Sequence, residues 1–396
     1  MIDTIVLMLR DGDFSIAEHD KFSPSTIGLF RPPYYTLGGR GNFSCYQNPT
    51  TEEFKKGIYK PRLTVTKRYA KGGYSVTLRV EFSIPKLIFG NNFDEVEDSH
   101  FAHVVDRLCA LLRQMGVIIF RQVLVDAPVS AVHYSKNIVL TDFLTPSGIL
   151  NEIAKINLNQ QLDLNQTDFR NDGHCLKFHS NSFELALYDK MKDLEKAKIS
   201  GKRAVEKDQA IQLELFENFK PRKPFEVLRM EVRLNTRRII GQRLEKVKIP
   251  SPITFSGLFK KEISKAILKN QLHSIKKAYS LIAWKPPGAK EFIAHFKIQN
   301  PKIRLRKALQ VYGLMMACKE LGIRGFREAS RPYGNQWQRL KHDMELCPLP
   351  INFKVLEPIE KALSDFAPLK LTYFESKETF ANPKKCYRMQ TYDFPH

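Results

Sequence analysis

The chain has 396 residues, 43% of them hydrophobic and 27% charged, which is long enough to bury a large core and typical of a folded globular protein. Its 63 Lys and Arg against 42 Asp and Glu give a formal net charge of +21, which favours a polyanionic partner, most often nucleic acid, over the main competitor, an anionic membrane surface. No apolar run approaches the ~20 residues that span a bilayer. The six cysteines are scattered and form no C-x-x-C pair, which argues against a structural zinc site and favours free thiols in a reducing cytoplasm.

The N-terminal part is predicted to consist of strands and one loop region. Ile2–Leu9 is expected to be a strand rather than a signal peptide, because acids lie close to its short apolar run. The Gly/Pro-rich loop region that begins at Arg31 interleaves Arg31 and Arg40 with aromatic residues, as a single-strand stacking surface would. Ordinary loop anchors in a basic protein are an equally good interpretation.

A hairpin is predicted next, from strands at Lys60–Lys67 and Tyr74–Ser83. In the second strand Arg79 and Glu81 face away from the apolar residues. Proline at position 85 then ends the strand, because proline cannot donate a ladder hydrogen bond.

The middle of the chain alternates between predicted helices and strands. Helical periodicity predicts a helix at Ser99–Met115 and another that starts at Thr145 and Pro146. The remaining predicted elements are strands at Val117–Val125 and Val129–Leu140, a hairpin of Cys175–His179 and Phe183–Tyr188, a charged helical region from Lys190 to about Phe216, a strand at Pro224–Asn235 and a basic helix at Thr236–Val247.

This order predicts an α+β domain over residues 1–250, with a boundary near Pro250. Residues 251–396 are expected to form a mostly helical, basic DNA-binding domain with an irregular C-terminal tail. Between Phe259 and Gln310 there are thirteen Lys or Arg residues and two acids, a bias that favours contact with phosphates. Arg304–Leu321 is predicted to be an amphipathic helix that ends at Gly322.

The stretch Leu228–Asn235 is the predicted centre of the sheet. As a strand, its apolar residues face one side, while Arg229, Glu231 and Arg233 face the other. One interpretation is an ion-paired face of an amphipathic sheet. The other is a working surface on which the two arginines position a DNA backbone.

Three residues are candidate ligands for Mg²⁺ or Mn²⁺, namely His133, Glu231 and Glu81, because oxygen and imidazole donors suit these ions. A lone strand histidine is also commonly a packed core residue. Tyr188 is the candidate nucleophile, since a phenol beside a metal can attack a phosphodiester and the nearby Lys190 would favour its phenolate. A solvent-facing aromatic residue is the alternative for Tyr188.

Four short motifs carry a resemblance to a known family: Val80–Asn92, Val129–Ser135, Leu187–Lys190 and Leu228–Arg233. In this order they resemble the replication initiators of filamentous phages, the gene II/gene X family of phage and plasmid replication proteins, and are similar to Rep_trans-type rolling-circle initiators. The resemblance covers roughly residues 1–250. The chain departs from the family at His133, where the phage proteins carry an aspartate, and it has no H-u-H metal motif.

The resemblance implies a palm-like antiparallel sheet with flanking helices, related to HUH nucleases. It also implies a site-specific enzyme that nicks one strand of a double-stranded origin, holds the 5′ phosphate on a tyrosine, leaves a 3′ hydroxyl for a host polymerase and later rejoins the displaced strand. Tyr188 is assigned as that tyrosine, with Tyr134 and Tyr74 as alternatives. Mg²⁺ or Mn²⁺ would polarise the phosphate.

The expected partners are double- and single-stranded DNA, a host polymerase and a host helicase in a bacterial cytoplasm, without a membrane. The arginines expected to contact DNA are Arg229, Arg233, Arg79, Arg31 and Arg40. Two other functions remain open at this point: a DNA-binding replication or regulatory protein without chemistry, and a metal nuclease that uses water instead of tyrosine.

Overall fold

The structure is a computed structural model. It describes residues 1–30, 43–50, 52–53, 58–70, 73–141, 144–156, 158, 167–170, 173–193, 226–284, 288–330, 337–347, 349 and 351–370. The predicted DNA contacts Arg31 and Arg40 lie outside these residues, as does most of the predicted helical region that follows Lys190.

Eleven strands are described. They are β1 (Ile2–Arg10), β2 (Ser15–Ile16), β3 (Phe43–Gln47), β4 (Arg62–Ala70), β5 (Gly73–Ser83), β6 (Val117–Ile118), β7 (Val129–Leu140), β8 (Thr167–Arg170), β9 (Cys175–His179), β10 (Phe183–Asp189) and β11 (Glu226–Leu234). Nine of them form one antiparallel sheet in the order β3-β4-β5-β1-β7-β11-β10-β9-β8, and β2 pairs with β6 separately.

Twelve α-helices are described. They are α1 (Ile27–Phe30), α2 (Ile84–Phe89), α3 (Phe101–Gln114), α4 (Arg121–Val125), α5 (Pro146–Ala154), α6 (Arg237–Lys246), α7 (Phe255–Leu258), α8 (Lys261–Tyr279), α9 (Ala289–Gln299), α10 (Leu305–Ser330), α11 (Trp337–Glu345) and α12 (Glu357–Asp365). The predicted α+β class is therefore confirmed.

The sheet has one apolar face and one polar face, because side chains alternate along each strand. In β11 the apolar residues Leu228, Met230, Val232 and Leu234 are all fully buried. They belong to one hydrophobic cluster with apolar residues of α3, α5, α6, α7 and α8. The helices therefore cover the apolar face, and the polar face is left for side chains that interact with each other and with solvent.

The hydrophobic core continues across the predicted boundary at Pro250. Ile263 and Ile267 of α8 belong to the same cluster as the strand residues, and α8 contacts both β7 and β11. Further along, the Lys136 ammonium is paired with Glu95 and donates to the carbonyl oxygen of Ala367 at 2.8 Å. The helical part beyond residue 250 thus completes the core of the sheet.

Capping residues explain where several helices begin. Thr145 accepts a hydrogen bond from the Gly148 amide at 3.1 Å, and Thr236 accepts one from the Ile239 amide at 3.3 Å, as N-cap residues do. The predicted start of α5 at Thr145 and Pro146 is confirmed. The strands predicted at Ile2–Leu9, Lys60–Lys67, Tyr74–Ser83 and Val129–Leu140 are also confirmed, within a few residues at their ends.

The strand predicted at Val117–Val125 is wrong. Only Val117 and Ile118 form a strand, and the chain turns into α4 at Arg121. Burial alternates as in a strand only from Val117 to Phe120, which is 78% exposed, and in the helix that follows only Leu124 is fully buried. Strand propensity of β-branched residues depends on a neighbouring strand to pair with, and within the described part of the chain the partner of this segment is the two-residue β2.

The predicted helix end at Gly322 is confirmed. Gly322 has φ +72°, and helical structure resumes after it, so α10 consists of two segments that meet at this residue. A Cβ atom at Gly322 would lie 2.9 Å from Cβ of Lys155.

Within the described residues no helix is both long and apolar enough to cross a membrane.

Candidate functional site

The polar face of the sheet gathers charged residues around β11. β11 lies between β7 and β10, and the register sets Arg233 opposite His133 on one side and opposite Glu184 on the other. In the same way Arg229 lies opposite Tyr188 on β10. The stretch predicted to be a central strand is an interior strand next to the middle strand β7. Strand register brings the predicted residues His133, Tyr188 and Glu231 together.

Glu231 is the residue that the other members of this cluster contact. Its Oε1 atom accepts a hydrogen bond from Arg233 Nε at 2.8 Å, and its Oε2 atom accepts one from the Tyr188 hydroxyl at 3.0 Å. Arg229 Nε is 3.8 Å from Oε2, and His133 Nδ1 is 3.7 Å from Oε1. The Glu231 side chain is only 2% exposed, so each of these contacts is made away from bulk water.

The two arginines determine the ionisation of Glu231. Burial by itself would raise the pKa of this carboxyl group, but the guanidinium groups of Arg233 and Arg229 hold the pKa well below its usual range. The pKa of His133 is lowered by burial and next by Arg233. At neutral pH the cluster therefore holds a carboxylate, two guanidinium groups and a neutral imidazole.

Arg229 is held inside the protein. Arg229 is only 1% exposed. Its Nη2 atom lies 2.7 Å from Oδ1 of Asp3 and donates to Oγ of Ser135 at 3.0 Å, while Nη1 donates to the carbonyl oxygen of Asn92 at 2.7 Å. In this conformation the Arg229 guanidinium group lies next to Glu231 inside the protein and is not accessible to a DNA backbone.

Asp3 takes part through an irregularity of β1. The pairing of β1 with β7 shifts register between Ile2 and Thr4, so Asp3 is an extra residue in the strand. Such bulges redirect side chains. Sequence reasoning missed Asp3, and the available signal was an acid inside the apolar run of the first predicted strand.

Arg233 is the arginine of this cluster that reaches solvent. Its side chain is 29% exposed, and its Nη1 atom pairs with Glu184 at 3.0 Å. Glu184 also pairs with Lys177 at 2.8 Å. Glu184 was another missed residue, although it alternates with Tyr188 on the same predicted strand. Arg233 therefore combines two carboxylate partners with a guanidinium side chain that is partly accessible to solvent.

Tyr188 lies near the end of β10, and Lys190 directly follows the strand with its ammonium group near the Tyr188 ring. Tyr188 is partly buried, and burial raises the pKa of its phenol well above 10. The Lys190 ammonium lies 5.1 Å from the ring centroid of Phe93 and 5.9 Å from that of Tyr188. Burial, and next the charge of Arg229, lowers the pKa of Lys190 to about 7.

The two alternative tyrosines lie elsewhere. Tyr134 is on the apolar face and fully buried, with its hydroxyl 3.5 Å from the carbonyl oxygen of Leu258. Tyr74 is exposed at the start of β5, and the Lys67 ammonium lies 4.3 Å from its ring centroid. Of the three candidate tyrosines, Tyr188 is the one that contacts the charged cluster.

Glu81 does not join His133 and Glu231. It lies on β5, which is separated from β7 by β1. Its carboxylate pairs with Arg79 at 2.6 Å, and the side chains of Glu81 and Arg79 are partly exposed, at 31% and 41%. The predicted DNA contact Arg79 therefore lies on the same polar face as Arg233, three strand spacings away.

The donor set of the cluster does not fit a divalent metal ion. Within the described residues, no three His, Cys, Asp or Glu side chains are grouped so that they would hold a metal. Both oxygens of Glu231 already accept hydrogen bonds, one of them from a guanidinium group. A dication at Glu231 would also be repelled by Arg229 and Arg233.

These contacts give the cluster a definite chemical capability. A phenol is hydrogen-bonded to an ionised carboxylate, with one solvent-accessible guanidinium group next to that carboxylate. Such an arrangement can hold a nucleophilic hydroxyl group next to a side chain that is able to bind anions. Comparisons of the chain with protein-family models, with curated proteins and with solved structures found no match.

Proposed function

We propose that the protein is a DNA nicking and joining enzyme that initiates rolling-circle replication, with Tyr188 as its nucleophile. The observation that carries this proposal is the hydrogen bond from the Tyr188 hydroxyl to Glu231 at 3.0 Å, on a sheet face that also holds Arg233. The net charge of +21 supports DNA as the substrate. The resemblance of the four motifs supports the reaction class.

In the proposed reaction a bond forms between Tyr188 Oη and a backbone phosphorus atom while the bond from phosphorus to the 3′ oxygen breaks. Glu231 Oε2 accepts the hydrogen bond that orients the phenol. The phenol proton is released to solvent, and the leaving 3′ oxygen takes a proton from water. The products are a 5′ phosphotyrosine and a free 3′ hydroxyl. Joining is the reverse reaction, with a 3′ hydroxyl as nucleophile.

The remaining residues of the cluster have supporting roles. Arg233 would leave Glu184 and stabilise the negative charge of the phosphate during attack. Arg229 and Asp3 would keep Glu231 oriented. Lys190, whose pKa is about 7, would stabilise the developing phenolate in its charged form. No step passes through Mg²⁺ or Mn²⁺, because the donors do not fit such an ion.

The sheet architecture is compatible with the proposed class. A palm-like fold, as expected from the resemblance, would use one face of an antiparallel sheet for DNA and the other for helices, and this sheet has helices packed on its apolar face. The proposed substrates are double-stranded origin DNA and its displaced single strand. A host polymerase and helicase in a bacterial cytoplasm would act after the nick.

The test is formation of a covalent protein–DNA adduct. The protein is incubated with supercoiled plasmid carrying the DNA that flanks its own reading frame, and the products are separated on a denaturing gel. We expect a nicked circle with protein attached to its 5′ end. Tyr188→Phe should abolish the adduct, whereas Tyr134→Phe, which alters a hydroxyl on the opposite face, should retain it.

The two other functions give different products in the same assay. A nuclease that uses water would nick the plasmid without an adduct. A DNA-binding protein without chemistry would shift the plasmid on a native gel and leave it supercoiled. An adduct that persists in Tyr188→Phe would show that another tyrosine is the nucleophile and would overturn the assignment.

A further inference from the structure

The helix α8 carries a row of cations along one side. Its 19 residues include five lysines and one acid, Glu262. Residues four apart lie on the same side of a helix, with a rise of about 6 Å between them. We call the following residues the α8 basic face: Lys261, Lys265, Lys269, His273, Lys276 and Lys277.

The opposite side of α8 is fixed in the core. Ile263, Ile267 and Leu268 are at most 1% exposed, and Leu272 and Ile275 at most 4%. These residues pack with the apolar face of the sheet. The orientation of α8 is therefore set by hydrophobic burial, and the α8 basic face is turned outward as a consequence.

A groove runs beside the α8 basic face, between α8 and α12. Its volume is about 610 Å³, and its lining includes Lys269, His273, Lys277 and Phe353. Lys276 also borders the groove, where its ammonium pairs with Glu360 at 2.9 Å and lies 4.7 Å from the ring centroid of Phe353. The groove thus combines several cations with one aromatic ring.

The composition of the groove favours a nucleic-acid backbone over a membrane surface. A helix that binds a membrane surface inserts its own apolar side among the lipids, but the apolar side of α8 is already buried against the sheet. A row of lysines along a helix, next to an aromatic ring, is typical of surfaces that bind a phosphate backbone along its length. Lys269, His273 and Lys277 are exposed and accessible to such a ligand.

We propose that the α8 basic face and its groove bind the sugar-phosphate backbone of DNA, as a surface separate from the cluster around Tyr188. The two surfaces lie on opposite sides of the sheet, because α8 packs on the apolar face and Tyr188 belongs to the polar face. This inference rests on the proposed function in taking DNA as the partner. It does not depend on chemistry at Tyr188.

The separation has a functional consequence. Contacts on the helical side hold the protein on DNA without reading its sequence, since they reach phosphates alone. They also leave the polar face of the sheet open for the strand that is cut. Loss of the α8 basic face should therefore weaken binding to any DNA sequence, while the reaction at saturating DNA is kept.

The experiment measures binding of fluorescently labelled single-stranded and duplex oligonucleotides of arbitrary sequence over a range of salt concentrations. It compares Lys269→Gln/Lys277→Gln with the control Arg107→Gln/Arg113→Gln, which removes two exposed charges from α3. All proteins carry Tyr188→Phe, so that no covalent product forms. Vesicles of anionic phospholipid serve as a third ligand.

We expect weaker DNA binding by the α8 variant and a smaller slope of log K against log salt concentration. For duplex the slope should fall by about 2, because each phosphate contact contributes ~0.9. The control should keep the slope of the parent protein. Equal effects in both variants, no effect in the α8 variant, or a loss confined to anionic vesicles would each overturn the proposal.

The adduct assay separates this inference from the proposed function. For this assay the α8 variant and its parent keep Tyr188. If the α8 variant binds DNA as tightly as the parent and forms the adduct, the α8 surface is refuted and the nicking function stands. If the variant loses affinity and the parent forms no adduct under any condition, the surface stands and the nicking function is refuted. Absence of DNA binding by the parent protein would refute both.

Discussion

The side chains of Arg229 and Asp3 meet at 2.7 Å, although their strands β11 and β1 are separated by β7. The pair is buried and bridges three neighbouring strands, since Arg229 also donates to Ser135 on β7. Arg229 Nε also lies 3.8 Å from Oε2 of Glu231, so disruption of the pair should affect both stability and the charged cluster.

Asp3→Asn is expected to destabilise the protein by about 3–5 kcal/mol, because it removes one partner of a buried ion pair and leaves the charge of Arg229 less compensated. Urea denaturation followed by circular dichroism measures the change. The matched control is Glu81→Gln, which breaks an exposed pair with Arg79 and should cost about 1 kcal/mol or less. Similar costs for the two variants would mean that the buried pair is not important for stability.

Glu231→Gln should slow formation of the covalent adduct by about 10²-fold or more, because the phenol of Tyr188 loses the charged hydrogen-bond acceptor that orients it. The rate is measured in a single turnover at saturating DNA. Glu81→Gln again serves as the control and should retain the parent rate. If the Glu81 variant were the slower of the two, the reactive carboxylate would lie on β5 instead of β11.

Lys190 should make stability rise with pH. Its pKa is about 7 in the folded protein and 10.5 ordinarily, so between these values the unfolded chain binds a proton that the folded chain does not, and the free energy of unfolding increases with pH. Lys190→Met should be more stable than the parent at pH 7, and its advantage should shrink towards pH 9.

Denaturant unfolding at pH 7, 8 and 9 tests this dependence, with Lys192→Met as a control at an exposed position of the same segment. The control should change stability by roughly 0.5 kcal/mol or less at each pH. A difference between parent and Lys190→Met that stays constant with pH would show that Lys190 does not titrate in this range.

Removal of divalent metal tests whether Glu231 keeps its arginine partners during the reaction. A metal that polarised the phosphate would contribute several kcal/mol, which is more than roughly a hundredfold in rate. Because the Glu231 oxygens are already occupied, we expect EDTA to change the adduct rate by less than about tenfold. A strict requirement for Mg²⁺ or Mn²⁺ would mean that Glu231 leaves its arginines when DNA binds.

Gly322→Ala should destabilise the protein by about 1–3 kcal/mol, since φ is +72° and the added Cβ would lie 2.9 Å from Lys155. Gly313 lies in the same helix α10 and has open space around it. Gly313→Ala should therefore stabilise the protein by about 0.5–1 kcal/mol. Thermal unfolding of both variants gives the comparison, and equal signs would contradict it.

Most strands and helices could be predicted from local patterns. Alternation placed Arg229, Glu231 and Arg233 on one face of a central strand, and helical period with a terminal Gly322 gave the end of a helix. The strand predicted at Val117–Val125 was wrong, because the apolar run there is too short for its periodicity to distinguish a strand from a helix.

The predicted site was less complete than the predicted elements. His133, Tyr188 and Glu231 do meet, but Glu81 lies on another part of the sheet, and Asp3 and Glu184 were not anticipated. Glu81 had been grouped with Glu231 since each follows an arginine by two residues. Such local likeness says nothing about the number of strands between them.

The sequence by itself determined which side chains share the polar face of each strand, because that depends only on the two-residue repeat of a strand. It also determined the excess of positive charge. The tertiary structure alone decided which strands are neighbours, in what register they pair, and where a bulge turns Asp3 towards Arg229. Strand order and register result from packing of the whole chain, so the partners of Glu231 are set by contacts distant in sequence.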